Sequence, residues 1–407
     1  MKQTDKHIIP SHSGSILSRM LLLLMLCLTA CSSGDDIQTP TEKPDNQPTL
    51  LYVYVHTPQT EVPTRAYVGD IDPIGHEADI YLLQIWVFTH DSHQLISYFS
   101  SSESSALSTG DGYEVLQLTV DETYAETAEA SRENVDVYVT ANVSAANCNL
   151  TLDHQTSQAT LEEALIEKTE ADPFGLTAPV TVVPTDAGLP MSGVLRNQPV
   201  AGAAPVLRLD NSGEIATVTL VRTLSKIRFA FSRQTSGEEL QITSIKLNSG
   251  MIPLAQYLFM SDDAPYDRQT CHIKTASGYE TSTPELLDET IGEVAANADP
   301  VAYAWGNEEL EPQAYEQLLD EAAANGNITQ RTFFLRESDQ MLQGEIKYRV
   351  GNGDEQTSTF RMTDDGGFSR NHIWTVYAYL AQAKLQVVAA TVAPWKQVEE
   401  DYEFYNW

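Results

Sequence analysis

Leu51-Tyr52-Val53-Tyr54-Val55-His56 decides how this chain folds. Leu51, Val53 and Val55 alternate with Tyr52, Tyr54 and His56, a period of two that predicts a strand with one face turned inward. Pro58 and Pro63 end the strand. A polar stretch, Gly69 to Asp79, leads into Ile80-Tyr81-Leu82-Leu83-Gln84-Ile85-Trp86-Val87-Phe88, which reads as a buried strand. Further strands are predicted over Tyr113–Val120, Val135–Val143, Thr217–Leu220, Lys226–Phe231, Leu240–Leu247, Glu345–Val350, Thr357–Met362, Ile373–Leu380 and Leu385–Val392. Turn signals such as Gly351-Asn352-Gly353-Asp354 and Asp364-Asp365-Gly366-Gly367 separate several of them. Many short strands with turn punctuation predict an all-β protein built from β-sandwiches. Helices are few. Thr160-Leu161-Glu162-Glu163 predicts a capping box and a short helix to about Lys168. Pro312 opens another, with Leu318, Leu319 and Ala322 on one face and Gly326 closing it. Asp210-Asn211-Ser212-Gly213 is the candidate boundary, giving an N-terminal sandwich over 66–212 and a C-terminal sandwich with tail over 213–407.

The amino terminus reads as an export signal. Residues 1–30 hold a basic region ending at Arg19 and an apolar run from Met20 to Leu28. That run is shorter than the ~20 residues that span a bilayer and suits a signal peptide. Leu28-Thr29-Ala30-Cys31 resembles the bacterial lipobox. The resemblance implies cleavage between Ala30 and Cys31, with acyl chains such as palmitate on Cys31 anchoring the chain in the outer membrane. Ser32-Ser33-Gly34-Asp35-Asp36 resembles the acidic export tag of Bacteroidetes surface lipoproteins. Residues 31–49 are polar and read as a lipidated tether. No later stretch is apolar enough to span a membrane. The chain carries 24 Lys+Arg against 57 Asp+Glu, a net charge of −33. Removing the leader takes away Lys2, Lys6, Arg19 and Asp5, which leaves 21 basic and 56 acidic residues and a net charge of −35. Such a surface repels nucleic acid and anionic lipid heads.

A search for chemistry returns little. There is no Gly-x-Ser-x-Gly elbow, no phosphate-binding Gly-x-x-x-x-Gly-Lys and no His-Glu-x-x-His. His90-Asp91-Ser92-His93 is the nearest approach to a metal site, but nothing nearby completes a tetrahedral set, and it reads as a solvated turn. Asp262-Asp263 and Glu399-Glu400-Asp401 read as solvated charge runs. No catalytic residue, metal or cofactor is expected. Beyond Cys31, export leaves Cys148 and Cys271 either as a disulfide or as two buried thiols. Trp86, Trp374 and Trp395 lie in or beside apolar strands and read as core. Trp305 and Trp407 are the candidates for an exposed sugar-binding platform.

Seven segments in order resemble the fimbrillins of Bacteroidales, the type V pilin family. They are the lipobox at Cys31, Pro63-Thr64-Arg65-Ala66, Ile80–Phe88 with its following turn and Leu95, Leu189-Pro190-Met191-Ser192-Gly193, Val218–Ile227 with Arg222 and Lys226, Arg370-Asn371-His372-Ile373-Trp374, and Val392-Ala393-Pro394-Trp395. The resemblance implies two transthyretin-like Greek-key β-sandwiches in tandem, without catalysis. It implies processing between Arg65 and Ala66 by an arginine-specific protease, loss of the strand carrying Leu51, Val53 and Val55, and strand exchange between subunits. The candidate donor strand is the tail, through Val398, Tyr402 and Phe404, with Glu400 as the exception on that face. This tail is short and acidic where the family expects an apolar donor, which leaves shaft, tip and anchor positions open. The expected function is a structural subunit of an adhesive surface fimbria. Its expected partners are other fimbrial subunits, as a homo- or hetero-polymer, and the outer membrane. The competing readings are an uncut lipidated anchor subunit and a monomeric glycan-binding surface lipoprotein.

Overall fold

The computed structural model describes most of residues 48–394. Outside the described residues lie 1–47, 57–76, 102–112, 168–187, 261–284, 301–311, 363–367, 395–407 and a few isolated positions. The chain from Gln47 onward forms one compact unit. Among the described residues it is all-β, with three short α-helices and two main apolar cores.

The first half supplies β1 (Leu50–His56), β2 (Leu83–Thr89), β3 (Leu95–Ser100), β4 (Tyr113–Thr119), β5 (Val135–Ala141), β6 (Met191–Gln198), β7 (Val206–Asn211), β8 (Thr217–Thr219) and β9 (Val221–Arg222). One sheet is built around β1. It pairs antiparallel with β4 on one edge, and parallel with β7 and then β8 on the other. The facing sheet runs β9-β6-β5-β2-β3. Leu51, Val53 and Val55 enter the core between these sheets with Ile85, Val87 and Val139. The alternation in β1 is thus a one-faced strand, with Tyr52 and Tyr54 half-buried on the outer side. By contrast, β2 is buried along its whole length. Its inward residues meet the core, while Trp86 and Phe88 on the other face pack with Tyr138, Leu161 and Phe259. Burial on both faces explains why Ile80–Phe88 reads as a continuous apolar run rather than an alternation.

The second half supplies β10 (Leu224–Gln234), β11 (Leu240–Leu247), β12 (Thr329–Arg336), β13 (Gln343–Val350), β14 (Gln356–Arg361), β15 (His372–Ala381) and β16 (Lys384–Pro394). β10 pairs antiparallel with β12 and parallel with β15, and β15 pairs with β16. The facing sheet is β11-β13-β14. Phe229, Ile245, Ile346, Phe360 and Trp374 fill the core. The hairpin β13–β14 turns at Gly351, whose φ of +53° lies in the left-handed region. The Asp364–Gly367 turn lies outside the described residues.

The α-helices among the described residues are α1 (Glu122–Glu126), α2 (Gln158–Glu162) and α3 (Pro312–Ala324). The structure corrects the reading of α2. Ser157, not Thr160, is its N-cap, its hydroxyl accepting from the Thr160 N–H at 3.2 Å. The helix ends at Glu163, because Leu165–Glu167 leaves it to pair antiparallel with Ala255–Tyr257. α3 runs as expected and lays Tyr315, Leu319 and Ala322 against Ala230, Tyr377 and Tyr379 on the outer side of the β10–β15 sheet. Strands over 214–222 pair with β1, β6 and β7. The first set of sheets therefore runs past Gly213 to Arg222, and the chain enters the second core at β10.

Candidate functional site

β1 is the centre of its sheet, not an edge. Leu51, Val53 and Val55 are all 0 % exposed. Burial of three such side chains contributes about 4.5–9 kcal/mol, at roughly 1.5–3 kcal/mol each. Backbone pairing runs along both edges. Leu51 lies opposite Leu118 and Leu207, Val53 opposite Leu116, and Val55 opposite Val218. At the start of the strand, the Leu50 N–H donates to the Pro205 carbonyl at 2.9 Å, and the Val120 N–H donates to the Thr49 carbonyl at 3.1 Å. Taking β1 out would open a slot with unpaired backbone groups on both sides and apolar side chains at its floor. Sequence distance makes this possible, since twenty residues, 57–76, separate β1 from the next described residue, Glu77.

Downstream of that connector, Glu77 is buried and ties the chain to the junction between the two cores. Its backbone carbonyl accepts from Arg222 Nε at 3.0 Å, and its carboxylate accepts from Lys226 Nζ at 2.8 Å. Burial pulls the Lys226 ammonium below its ordinary value, and Glu77 opposes that. Arg222 also donates through Nη1 to Asn371 Oδ1 at 3.2 Å, and the Asn371 N–H donates to the Leu224 carbonyl at 2.9 Å. Arg370 donates to Glu337 Oε1 through Nε at 2.8 Å, to the Leu258 carbonyl at 3.0 Å and to the Tyr257 carbonyl at 2.7 Å. The Thr223 N–H donates to the Pro190 carbonyl at 2.9 Å. Ser192 Oγ donates to the Leu258 carbonyl at 2.6 Å. A Cβ at Gly193 would lie 2.4 Å from the Thr219 carbonyl oxygen, so only glycine fits where β6 passes β8. The segments Leu189–Gly193, Arg222–Lys226 and Arg370–Asn371, far apart in sequence, therefore meet at one place and hold the two halves together.

The other singled-out residues have structural partners or lie elsewhere. His90 Nδ1 contacts Asp136 Oδ1 at 2.8 Å, and His93 Nδ1 contacts Gln158 Oε1 at 2.9 Å. The described residues contain no group of three or more potential metal ligands. Cys148 is a free, buried thiol, pushed up in pKa by that burial. Trp86 is buried and donates through Nε1 to the Asp153 carbonyl at 2.8 Å; Trp374 is buried in the second core. Ala30, Cys31, Arg65, Ala66, Cys271, Trp305, Trp395, Val398, Tyr402, Phe404 and Trp407 lie outside the described residues. No helix among the described residues is long and apolar enough to cross a membrane. Sequence reasoning missed Glu77. It is a lone carboxylate in a polar stretch, and only its buried cationic partners give it a role.

Comparison with solved structures returns proteins described as fimbrial and as putative cell adhesion proteins. The tip fimbrial protein Mfa3 of Porphyromonas gingivalis, in a C-terminally truncated form, matches 86 % of this chain and 100 % of its own, at 12 % identity and a TM-score of 0.49. A fimbrial assembly protein of Parabacteroides distasonis matches 86 % of this chain and 100 % of its own, at 13 % identity and a TM-score of 0.40. The fimbrial anchor protein Mfa2 of Porphyromonas gingivalis matches 86 % of this chain and 98 % of its own, at 9 % identity and a TM-score of 0.35. The structural neighbours are Bacteroidales fimbrial proteins. No protein-family model and no curated protein matches the chain.

Proposed function

We propose that this chain is a structural subunit of a surface fimbria, assembled by protease-triggered strand exchange. It is exported as a lipoprotein through Cys31. A cut between Arg65 and Ala66 in the connector releases β1 with the lipidated tether, and a strand from a neighbouring subunit takes its place. One observation carries the reading: the first strand of the fold is central in its sheet, its three inward side chains are fully buried, and the arginine site follows it by only nine residues, from His56 to Arg65. Pro58 and Pro63 favour an extended connector, the form a protease needs. The tail Lys396–Trp407, with Val398, Tyr402 and Phe404, is the candidate strand that this subunit gives to a neighbour. Its twelve residues reach far enough at about 3.3 Å each. The chemistry is main-chain pairing with alternate side chains in pockets, and no catalytic group takes part.

The test is Arg65→Ala in the producing cell. Surface fractions should retain the uncut lipidated chain and lose SDS-resistant ladders containing it. Deleting Lys396–Trp407 should leave processing intact and stop donation to the next subunit. Fibres of normal length that incorporate the Arg65→Ala chain would replace this mechanism with that of an uncut anchor.

A further inference from the structure

The slot that β1 fills has a definite shape, and the tail of the same chain does not match it. Leu51, Val53 and Val55 occupy three alternate inward positions with no exposed surface. Leu118, Leu207 and Val218 stand opposite them in the same sheet and belong to the same apolar cluster. Side chains of leucine and valine size fill these positions. Protein interiors are packed closely enough that an added aromatic ring must displace its neighbours. A carboxylate among aliphatic side chains loses its water without compensation.

Residues 396–407 read Lys-Gln-Val-Glu-Glu-Asp-Tyr-Glu-Phe-Tyr-Asn-Trp. A strand presents alternate residues to one face. A set of three alternate residues in this stretch starts at one of eight positions, Lys396 to Glu403. Seven of the eight sets place at least one Asp or Glu in the slot. The eighth, Tyr402, Phe404 and Asn406, brings two aromatic rings and an amide to positions of leucine and valine size. Direction of approach offers no escape. β1 is antiparallel to one neighbour and parallel to the others, so a donor running either way pairs on both edges with the same three inward positions.

We propose that the slot vacated by β1 takes a strand from a different kind of subunit, one carrying three aliphatic residues at alternate positions, and rejects the tail of a second copy of this chain. The proposal rests on the strand-exchange reading above and names its partner. This subunit then follows a different one in the fibre and does not form a homopolymer through this joint.

The exported chain, residues 32–407, is cut with an arginine-specific protease, and mass spectrometry confirms cleavage after Arg65. Three fluorescein-labelled peptides are titrated against it, with anisotropy and displacement of the 32–65 fragment as readouts. They are residues 48–58, residues 396–407, and residues 396–407 with Glu400→Val and Tyr402→Val, which together with Val398 sets three aliphatic residues in alternation. The first and third should bind at concentrations at least tenfold lower than the second, and the cut chain alone should elute as a monomer. Equal binding of the unaltered tail, or self-association of the cut chain, overturns the heterologous partner and leaves strand exchange standing. Failure of all three, including the native strand, removes strand exchange itself and this inference with it.

Discussion

Replacing Glu77 by Ala tests whether the buried junction holds the connector by charge. Lys226 and Glu77 have side chains 3 % and 5 % exposed, and their contact is 2.8 Å. Removing the carboxylate leaves the ammonium buried beside a cavity. Breaking a buried pair from one side costs about 3–5 kcal/mol. The folded unit spans Gln47–Trp407, about 360 residues, so unfolding entropy at ~2.1 cal/mol/K per residue makes that a fall in Tm of roughly 4–7 °C. Arg222 keeps its hydrogen bond, which goes to the Glu77 backbone carbonyl, and loses only the attraction of the carboxylate charge. Combining Glu77→Ala with Lys226→Met removes both charges and leaves a side chain of similar length. Such exchanges of a buried pair for apolar groups are often neutral or stabilising. The double variant should therefore melt above the single one. The assay is thermal unfolding by circular dichroism of the four proteins in the cycle, at one pH and protein concentration. A single variant that melts within 2 °C of the parent, or a double variant that melts below the single, would refute the charge-pair argument.

Gly193→Ala should cost about 1–3 kcal/mol in urea unfolding through overpacking against the Thr219 carbonyl, and a neutral result would deny the close approach of β6 and β8. Glu133 accepts from the backbone N–H groups of Asp91 and Ser92 and from the Ser92 hydroxyl. Burial alone would raise this carboxyl, but those bonds outweigh it and hold it below the ordinary 4.5. Its contribution is present above that value and lost as pH falls through the lower folded value, so amide protection at Asp91 and Ser92 should drop in acid; unchanged protection would count against the bonds. Cys148→Ser with Cys271→Ser should leave fibre assembly intact with at most reduced stability, because a buried thiol of raised pKa has little thiolate to react; assembly failure in a folded variant would contradict this.

How much of this was legible depended on whether one face or two were buried. β1 showed its period openly, because one face meets the core and the other carries the half-buried Tyr52 and Tyr54. β2 showed no period but a long apolar run, and a second apolar cluster behind it supplies the reason. β6 carried neither signal: Met-Ser-Gly-Val-Leu-Arg-Asn-Gln has a glycine and little alternation, and pairing with β5 and β9 makes it a strand. The helix near Thr160 was legible in kind but not in extent. Two cap-like hydroxyls stand three residues apart, Ser157 and Thr160, and burial of Gln158 and Leu161 selects the earlier one. The Asp210–Gly213 turn looks like a boundary by composition, but the short strands after it pair back to the first half. Pairing partners, which sequence does not display, decide where one core ends.

The same distinction separates what the recognisable motifs do from what assembly requires. Three of the segments that carry the family resemblance, Leu189–Gly193, Arg222–Lys226 and Arg370–Asn371, converge on the junction between the cores. Their residue types are fixed by local demands: no room for a Cβ at Gly193, a buried cation answered by Glu77, and carbonyls answered by Arg370. Those demands come from joining two apolar cores and are indifferent to what the subunit joins next. The slot of β1 is different. Its only demands are aliphatic bulk and alternation, which any apolar strand of the right size meets. Such a site has no motif, and its selectivity lies in what it excludes. The twelve residues of the tail carry four carboxylates, Glu399, Glu400, Asp401 and Glu403, and four suffice to spoil seven of its eight registers. The partner is therefore to be sought by the pattern of its donor strand, three alternate aliphatic residues, and not by likeness to this chain.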